Sequence, residues 1–323
     1  MDREILHSRR EARRRAMRRR RMAVGLILTA TAAVAVIVLL VGTGGASNHA
    51  VAGARPSGAS GNPLGRGGRG PAGTAGARPR TGPRGTEPVP ILMYHVIAPP
   101  PPGAPFPGLY VAPNEFAAQM SALKSAGWHA VTLEQVRDNW RSGAPLGPGK
   151  PIVLTFDNGY QSQYTQALPV LRKLGWVGDE NIQLTGLPPS QGGLGQEQVR
   201  GLLAAGWELD TQGFSHADLI TLDAQQLHYE VAVARTTLQR RYHVPVKWFC
   251  YPSGHYDATV IAAVKAAGYS GSTTVVAGWA HPGDDLYRLH RLRVLGGTTA
   301  ERLLAQIASV RDDPPAPPSY NGT

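Results

Sequence analysis

The stretch that most constrains the fold runs from Ile152 to Tyr160. It opens with Ile-Val-Leu, a continuous apolar run that is typical of a strand buried on both faces. The Asn158-Gly159 pair predicts a turn, because both residue types tolerate a positive φ. Asp157 therefore stands at the end of a buried strand, where parallel α/β enzymes keep their reacting groups. An Asx turn capped by Asp157 is the structural alternative, and this stretch alone does not decide between the two.

Strands alternate with helices of ten or more residues over the whole of residues 88–311. This alternation favours parallel βα units, and their number predicts a distorted (β/α) barrel of about seven strands. No Gly-rich phosphate motif opens any of the helices, which argues against a nucleotide-binding protein.

Four of the predicted strands end in polar groups. These ends are His95, Asp157-Asn158, the segment from Asp210 to His216, and Tyr251-Pro252-Ser253-Gly254. In a parallel barrel such ends share one face, so we expect a carboxylate, two histidines and several amides at one mouth.

The N-terminal part of the chain predicts an exported, membrane-anchored protein. Residues 1–21 are rich in Arg, and the uncharged apolar residues 22–42 are long enough to span a bilayer. The Arg block places the N-terminus in the cytoplasm and the folded domain outside the cell. A cleaved signal peptide, with secretion of the domain, is the alternative. Residues 43–87 predict a disordered Gly/Pro/Arg linker, and residues 312–323 a loose tail.

Charge and cysteine content exclude several classes of protein. Residues 1–87 hold 16 Arg against four acidic residues, whereas residues 88–323 hold 17 Lys and Arg against 18 Asp and Glu. The excess positive charge therefore lies in residues 1–87, before the domain. No basic aromatic surface for nucleic acid is expected on the domain itself. The single cysteine, Cys250, excludes a disulfide framework and a Cys-rich zinc site.

Three motifs in combination resemble the polysaccharide deacetylase family, also called the NodB homology or carbohydrate esterase 4 group. Thr155–Gly159 (T-F-D-N-G) is similar to its first motif, T-F-D-D-G, and Thr211–His216 with Leu219 is similar to its second, S-H-T-x-S-H-x-x-L. Phe249–Gly254 resembles the third, which forms one wall of the groove. The segment Leu92-Met93-Tyr94-His95 at the domain start resembles the branch that acts on poly-β-1,6-N-acetylglucosamine.

The resemblance implies a NodB-like barrel and a metal-assisted deacetylation of an amino-sugar polysaccharide. A divalent metal, commonly zinc, would polarise the acetamide carbonyl and lower the pKa of a bound water. By position in the motifs, Asp157 would be the catalytic base, His95 the acid and His216 a metal ligand. Tyr251, Pro252, Ser253 and Gly254 would line the substrate groove.

Two of the family's metal-ligand positions differ in this chain. Asn158 replaces an Asp, and Gln212 replaces a His, so two strong ligands have become neutral amides. Asp210 is a candidate replacement ligand, because it lies two residues before Gln212 and faces the same side of a strand. A second possibility is that the site binds a harder ion than zinc, such as calcium or magnesium, since both prefer oxygen ligands.

Three functions therefore stay open, with deacetylation of a cell-envelope polysaccharide first. The second is a glycan-binding pseudoenzyme without metal chemistry, and the third is a hydrolase of another non-peptide C–N amide bond that uses Asp157 and His95. Six aromatic residues could stack on sugar rings, although a role in the core is the simpler expectation for most of them: Trp128, Trp207, Trp248, Tyr251, Tyr256 and Trp279.

Overall fold

A curled sheet of eight parallel strands forms the centre of the domain. The structure is a computed structural model and describes residues 84–185, 187 and 192–312, all of which belong to one compact unit. The strands are β1 (Ile91–Tyr94), β2 (Trp128–Val131), β3 (Lys150–Asn158), β4 (Asp179–Ile182), β5 (Glu208–Thr211), β6 (Trp248–Cys250), β7 (Gly271–Thr273) and β8 (Leu292–Arg293). Their order is β7-β6-β5-β4-β3-β1-β8, and β2 pairs with the first half of β3. The predicted parallel barrel is confirmed, with one strand more than expected.

Helices follow most of the strands and cover the outer face of the sheet. They are α1 (Pro113–Ser125), α2 (Leu133–Ser142), α3 (Leu168–Leu174), α4 (Gln196–Ala204), α5 (Ala224–His228), α6 (Ala234–Tyr242), α7 (Ala258–Ala266) and α8 (Ala300–Asp312). The sequence pattern predicts continuous helices over residues 164–174 and 223–242, but each contains one wide π turn, at Gln163–Ala167 and Tyr229–Val233. Both turns lie next to the polar strand ends, as is common for π segments at functional sites.

The register of the strands places the polar strand ends at one level. Asp157 of β3 lies opposite Asn181 of β4, which lies opposite Asp210 of β5. Residues directly opposite in a parallel sheet point to the same face, so these three side chains enter the barrel. The polar positions therefore line the inside of the barrel, while the alternate residues Leu154 and Phe156 face the helices.

A short segment before β8 completes the curl of the sheet. The Leu289 N–H donates to the Ser272 carbonyl at 3.0 Å, and the Arg291 N–H donates to the Val276 carbonyl at 2.9 Å. Because β8 pairs with β1, this segment connects the two ends of the strand order. The same segment carries the Arg291 side chain into the barrel.

The aromatic residues that could have stacked on sugars belong to the core. Trp128, Trp207, Trp248, Tyr251, Tyr256 and Trp279 are all buried. Their rings pack on neighbours inside the domain, as for Phe156 and Trp207, whose centroids lie 4.8 Å apart. These residues therefore serve the core, because burial leaves little ring surface for stacking on a glycan.

Several predicted segments fall wholly or mostly outside the described residues. These are the Arg block 1–21, the anchor 22–42, the linker 43–87 as far as residue 83, and the tail 312–323 after its first residue. In the described part of the chain, no helix is long and apolar enough to cross a membrane. The described chain begins at Arg84, and Gly85 and Glu87 are already hydrogen-bonded to Asn139 and Trp140 of α2.

Candidate active site

A cavity of about 380 Å³ opens at the carboxyl ends of the strands. Its walls come from the ends of β1, β3 and β8, the turns after β5 and β6, and the loop before α1. The lining residues are Met93, His95, Phe106, Leu109, Asp157, Asn158, Tyr160, Gln212, His216, Tyr251, Ser253, Gly254, Val275 and Arg293. The structure thus brings together almost every site residue that the sequence predicted.

Asp157 lies on the floor of this cavity in a buried ion pair with Arg291. Arg291 Nη1 donates to Asp157 Oδ1 at 2.8 Å, and Nη2 donates to Oδ2 at 2.9 Å. The guanidinium also donates to Thr155 Oγ1, the Thr274 carbonyl and the Cys250 sulfur. Two parallel charge-assisted bonds are the strongest arrangement available to an Arg–carboxylate pair.

The ion pair controls the protonation of Asp157. Burial alone would raise the pKa of the carboxyl group, but the charge of Arg291, together with His95 and a bond from Asn181, lowers the pKa to about 2. Asp157 is therefore ionised at neutral pH. Arg291 neutralises the negative charge of Asp157 inside the protein, so the carboxylate attracts a metal ion only weakly.

His95 lies beside Asp157 on the neighbouring strand end. Its Nε2 is 4.0 Å from Asp157 Oδ2, and Gln163 of the first π turn donates to the backbone carbonyls of both residues. Burial lowers the pKa of His95 to about 4, with Arg291 adding to the effect against the opposing charge of Asp157. The imidazole is therefore neutral at neutral pH and able to accept a proton.

The predicted turn after β3 is confirmed. Asn158 has φ 80° and Gly159 has φ 88°, both in the left-handed region. A Cβ at Gly159 would lie 2.8 Å from Ile182 Cγ1, so only glycine fits this turn without a shift. The Asn158 amide donates to Gln183 Oε1 at 2.9 Å, which fixes its orientation at the cavity wall.

Gln212 and His216 occupy the turn that follows β5. Gln212 is only 3% exposed, and its Oε1 has no hydrogen-bond partner among the described residues. His216 has φ 58°, and burial lowers its pKa. Glu230 of the second π turn holds this loop, because its carboxylate accepts the N–H groups of Phe214 and Ser215 at 2.9 Å each.

The wall predicted at Tyr251-Pro252-Ser253-Gly254 is present as a 3₁₀ turn. Tyr251, Ser253 and Gly254 line the cavity, whereas Pro252 is buried behind them. Phe106 supplies the exposed aromatic ring at the mouth, with 69% of its surface accessible. The sequence did not indicate this residue, because it lies in a Pro-rich loop without periodic pattern.

The side chains at the family's three metal-ligand positions do not match a zinc donor set. Zinc in proteins is held by thiolates, imidazoles and carboxylates. Asn158 and Gln212 offer neutral amide oxygens, and His216 offers one imidazole. Asp157 is the one carboxylate among the lining residues, and Arg291 already binds both of its oxygens. Calcium and magnesium also rely on carboxylates, so the same lack of negative charge applies to them.

The structure places Asp210 away from His216. Its Oδ1 accepts the Trp248 N–H at 2.9 Å, and the side chain does not line the cavity. Instead Asp210 lies with Asp179 and Glu208, with one ligand atom of each within 4.8 Å of the others. Burial and mutual repulsion raise the pKa of Asp179 and of Asp210 well above the usual range, so protonation offsets their charge.

Arg291 and Arg293 are residues of the candidate site that the sequence analysis did not identify. In His290–Val294 the two Arg residues alternate with apolar ones, and the apolar residues face the core. Arginine at every second position places charge on the inner face of a barrel strand. This alternation is the sequence pattern that could have indicated both residues. A buried arginine also needs a partner of opposite charge, which points to a carboxylate nearby.

The fold and the cavity together define the class of protein. It is a curled parallel α/β barrel with a polar site at the strand ends, lined by an aspartate, histidines and amides. Residues 146–272 match the family model described as Polysaccharide deacetylase. The domain therefore belongs to the polysaccharide deacetylase family.

Individual relatives agree with this assignment. Over 224 residues, 69% of the chain, it is 28% identical to the Bacillus subtilis (strain 168) protein named "Putative polysaccharide deacetylase YxkH", of which 77% is covered. Over 58 residues, 18% of the chain, it is 45% identical to the Escherichia coli (strain K12) poly-beta-1,6-N-acetyl-D-glucosamine N-deacetylase, of which 8% is covered.

A solved structure of the Streptococcus pyogenes deacetylase PplD in complex with acetate superposes with a TM-score of 0.63 and 26% identity. It covers 69% of this chain and 99% of that one. The expectation of a polysaccharide deacetylase is confirmed at the level of the family, a class of hydrolases that act on C–N bonds.

Proposed function

We propose that this domain hydrolyses N-acetyl groups on an amino-sugar polysaccharide of the cell envelope. The observation that carries the proposal is the approach of His95 Nε2 to Asp157 Oδ2, 4.0 Å apart at the floor of one cavity. A carboxylate and an imidazole at this separation can move one proton between them with a small adjustment.

The resting protonation states fit hydrolysis at neutral pH. Asp157 is ionised and His95 is neutral, so Asp157 can take the proton that water loses as its oxygen attacks the acyl carbon. That proton passes to His95, which delivers it to the amine nitrogen as the C–N bond breaks. One proton leaves the water and one reaches the amine, so the products are a carboxylic acid, which then loses its remaining proton to solvent at neutral pH, and a free amino group.

The surroundings of the cavity suit a polymeric substrate. A second groove of about 720 Å³ adjoins the first, and Tyr160 lines both. Its wall includes prolines, Tyr110, and the polar side chains of Gln161 and Gln166. Flat apolar surface interspersed with amides is suited to sugar rings, which present both hydroxyl groups and C–H faces.

The names of two relatives support the choice of substrate and product. The Escherichia coli relative is named for its action on poly-beta-1,6-N-acetyl-D-glucosamine, and PplD was solved with acetate, the product expected from an N-acetyl group. We extend both features to this chain, and a β-1,6-linked N-acetylglucosamine oligomer is our first choice of substrate.

A glycan-binding domain without catalysis is the second candidate. The amides at Asn158 and Gln212 favour it, because they remove the negative charge that the family's metal requires. In this function the cavity would hold an acetylated sugar, and Asp157 and His95 would serve as hydrogen-bonding groups.

Acetate release by the full-length protein distinguishes the two functions. We expect release from β-1,6-linked N-acetylglucosamine oligomers, and its loss in Asp157→Ala and His95→Ala variants. The Asn158→Asp/Gln212→His double variant, assayed with added zinc, is the matched comparison. Release only by the double variant would refute catalysis by the natural protein and support glycan binding, whereas release of another product would indicate a different C–N bond.

We also propose that residues 22–42 anchor the protein in the cell membrane with the domain outside. The length of the apolar segment and the preceding Arg block support this orientation. Protease added to intact cells should degrade the domain. An N-terminus that begins after residue 42 in the mature protein would instead establish a cleaved signal peptide and secretion.

A further inference from the structure

The charges that line the catalytic cavity do not cancel. Asp157 is its one lining carboxylate, and this charge is matched by buried Arg291. Arg293 lines the same cavity, and its guanidinium has no carboxylate within 4.0 Å in the part of the chain that the structure describes. One positive charge is therefore left over, and a divalent cation would be repelled where an anion would be attracted.

Strand geometry places Arg293 on the inner face of the barrel, one layer below His95. Arg291 and Arg293 are two residues apart, so both side chains face into the barrel. Arg293 lies opposite Met93 of β1, and His95 follows Met93 by two residues on the same face. Arg293 thus lies one layer above Arg291 and one layer below His95, and its exposed side chain lines the cavity. Its charge reaches His95, where it contributes to the lowered pKa.

Gln212 lines the same cavity with a neutral amide. Its side chain is more than nine-tenths buried, and its Oε1 has no hydrogen-bond partner within residues 84–185, 187 and 192–312. A primary amide has two N–H donors. Such a group is a weak metal ligand, but it can donate to a carboxylate oxygen.

We propose that this cavity binds a carboxylate, or the oxyanion that forms on an acyl group, directly through Arg293 and Gln212. Arg293 then takes the electrostatic role that a metal has in the family. The oxyanion part of the inference rests on the proposed function, whereas the binding of a carboxylate does not. During hydrolysis the electron pair of the acyl C=O moves to oxygen beside Arg293 as water attacks, and returns when the C–N bond breaks.

Acetate binding to the full-length protein in the presence of a chelator tests the proposal. We expect saturation-transfer NMR to detect acetate, and an Arg293→Gln variant to weaken binding about tenfold, which corresponds to about 1.4 kcal/mol. An Arg302→Gln variant is the matched control, because Arg302 is an exposed residue of α8. Its affinity should equal that of the unmodified protein.

Acetamide provides a test that needs no variant. It has the shape of acetate without the charge, so it should bind at least about tenfold more weakly if a guanidinium carries the recognition. An Arg293→Lys variant should keep part of the affinity, since it retains the charge and loses the planar fork. Equal binding of acetate and acetamide would overturn the proposal, as would acetate binding that appears only after zinc is added.

These outcomes are independent of turnover. Acetate binding without acetate release would refute the proposed deacetylation and retain the carboxylate site. Acetate release that is unchanged in the Arg293→Gln variant would refute the role of Arg293 and retain the deacetylase.

Discussion

Replacement of Arg291 by methionine tests the electrostatic centre of this site. The variant keeps most of the side-chain length but leaves the Asp157 carboxylate buried without its partner. Arg291 and Asp157 are each only 1% exposed, and the guanidinium makes five hydrogen bonds. Removal of one member of a buried ion pair costs about 3–5 kcal/mol. For a domain of this size the melting temperature should fall by ~10 °C.

The pH dependence of the free energy of unfolding separates this explanation from simple loss of packing. In the natural protein the pKa of Asp157 is about 2, below its unfolded value, so the ion pair stabilises the fold above pH ~4 and this contribution is lost as the pH falls towards 2. Without Arg291, burial dominates and raises the pKa of Asp157. The difference between variant and natural protein should therefore shrink as the pH is lowered.

Urea unfolding at pH 7 and pH 4.5 measures both effects. Arg288→Met is the matched control, because Arg288 is 43% exposed and its nearest carboxylate, Asp285, is 3.8 Å away. That control should change the free energy of unfolding by less than ~0.5 kcal/mol. The reasoning is refuted if Arg291→Met costs less than ~1 kcal/mol, or if its cost grows at the lower pH.

Three further predictions concern groups around the cavity. The folded pKa of His95 is about 4, below its unfolded value, so protonation of the imidazole favours the unfolded chain. In the natural protein this should lower the free energy of unfolding by ~3 kcal/mol between pH 6.5 and pH 4. The His95→Asn variant should not show this decrease. Urea unfolding at both pH values measures it, and an identical loss in the variant would contradict it. Glu230→Gln should lower the rate of acetate release at unchanged secondary structure, since the carboxylate holds the turn before His216; unchanged release would exclude this role. Gly159→Ala should cost ~1–3 kcal/mol in thermal unfolding, because φ is 88° and the new Cβ meets Ile182 Cγ1 at 2.8 Å; a cost below ~0.5 kcal/mol would show that the turn adapts.

The sequence determined the architecture of this protein and the face of the sheet that carries the candidate site. Alternating apolar strands and amphipathic helices specify parallel βα units, since each residue pattern has only one way to bury its apolar face. The dipeptide Asn158-Gly159 specified the turn after β3, because these residue types accept the positive φ found there. The positions of Asp157 and His95 were predicted because the polar ends of buried parallel strands share one face of the barrel.

Only the tertiary structure decided how these groups are charged. Asp157 and Arg291 are 134 positions apart, and no local pattern connects them. Likewise Asp210 satisfied the strand spacing expected of a ligand. Its carboxylate nevertheless lies with Asp179 and Glu208 and accepts the Trp248 N–H, because neighbouring strands supply these partners. The balance of charge in the cavity, and hence its preference for an anion, follows from contacts between distant segments. Such contacts depend on how distant strands pack against each other. A local sequence pattern does not specify that packing.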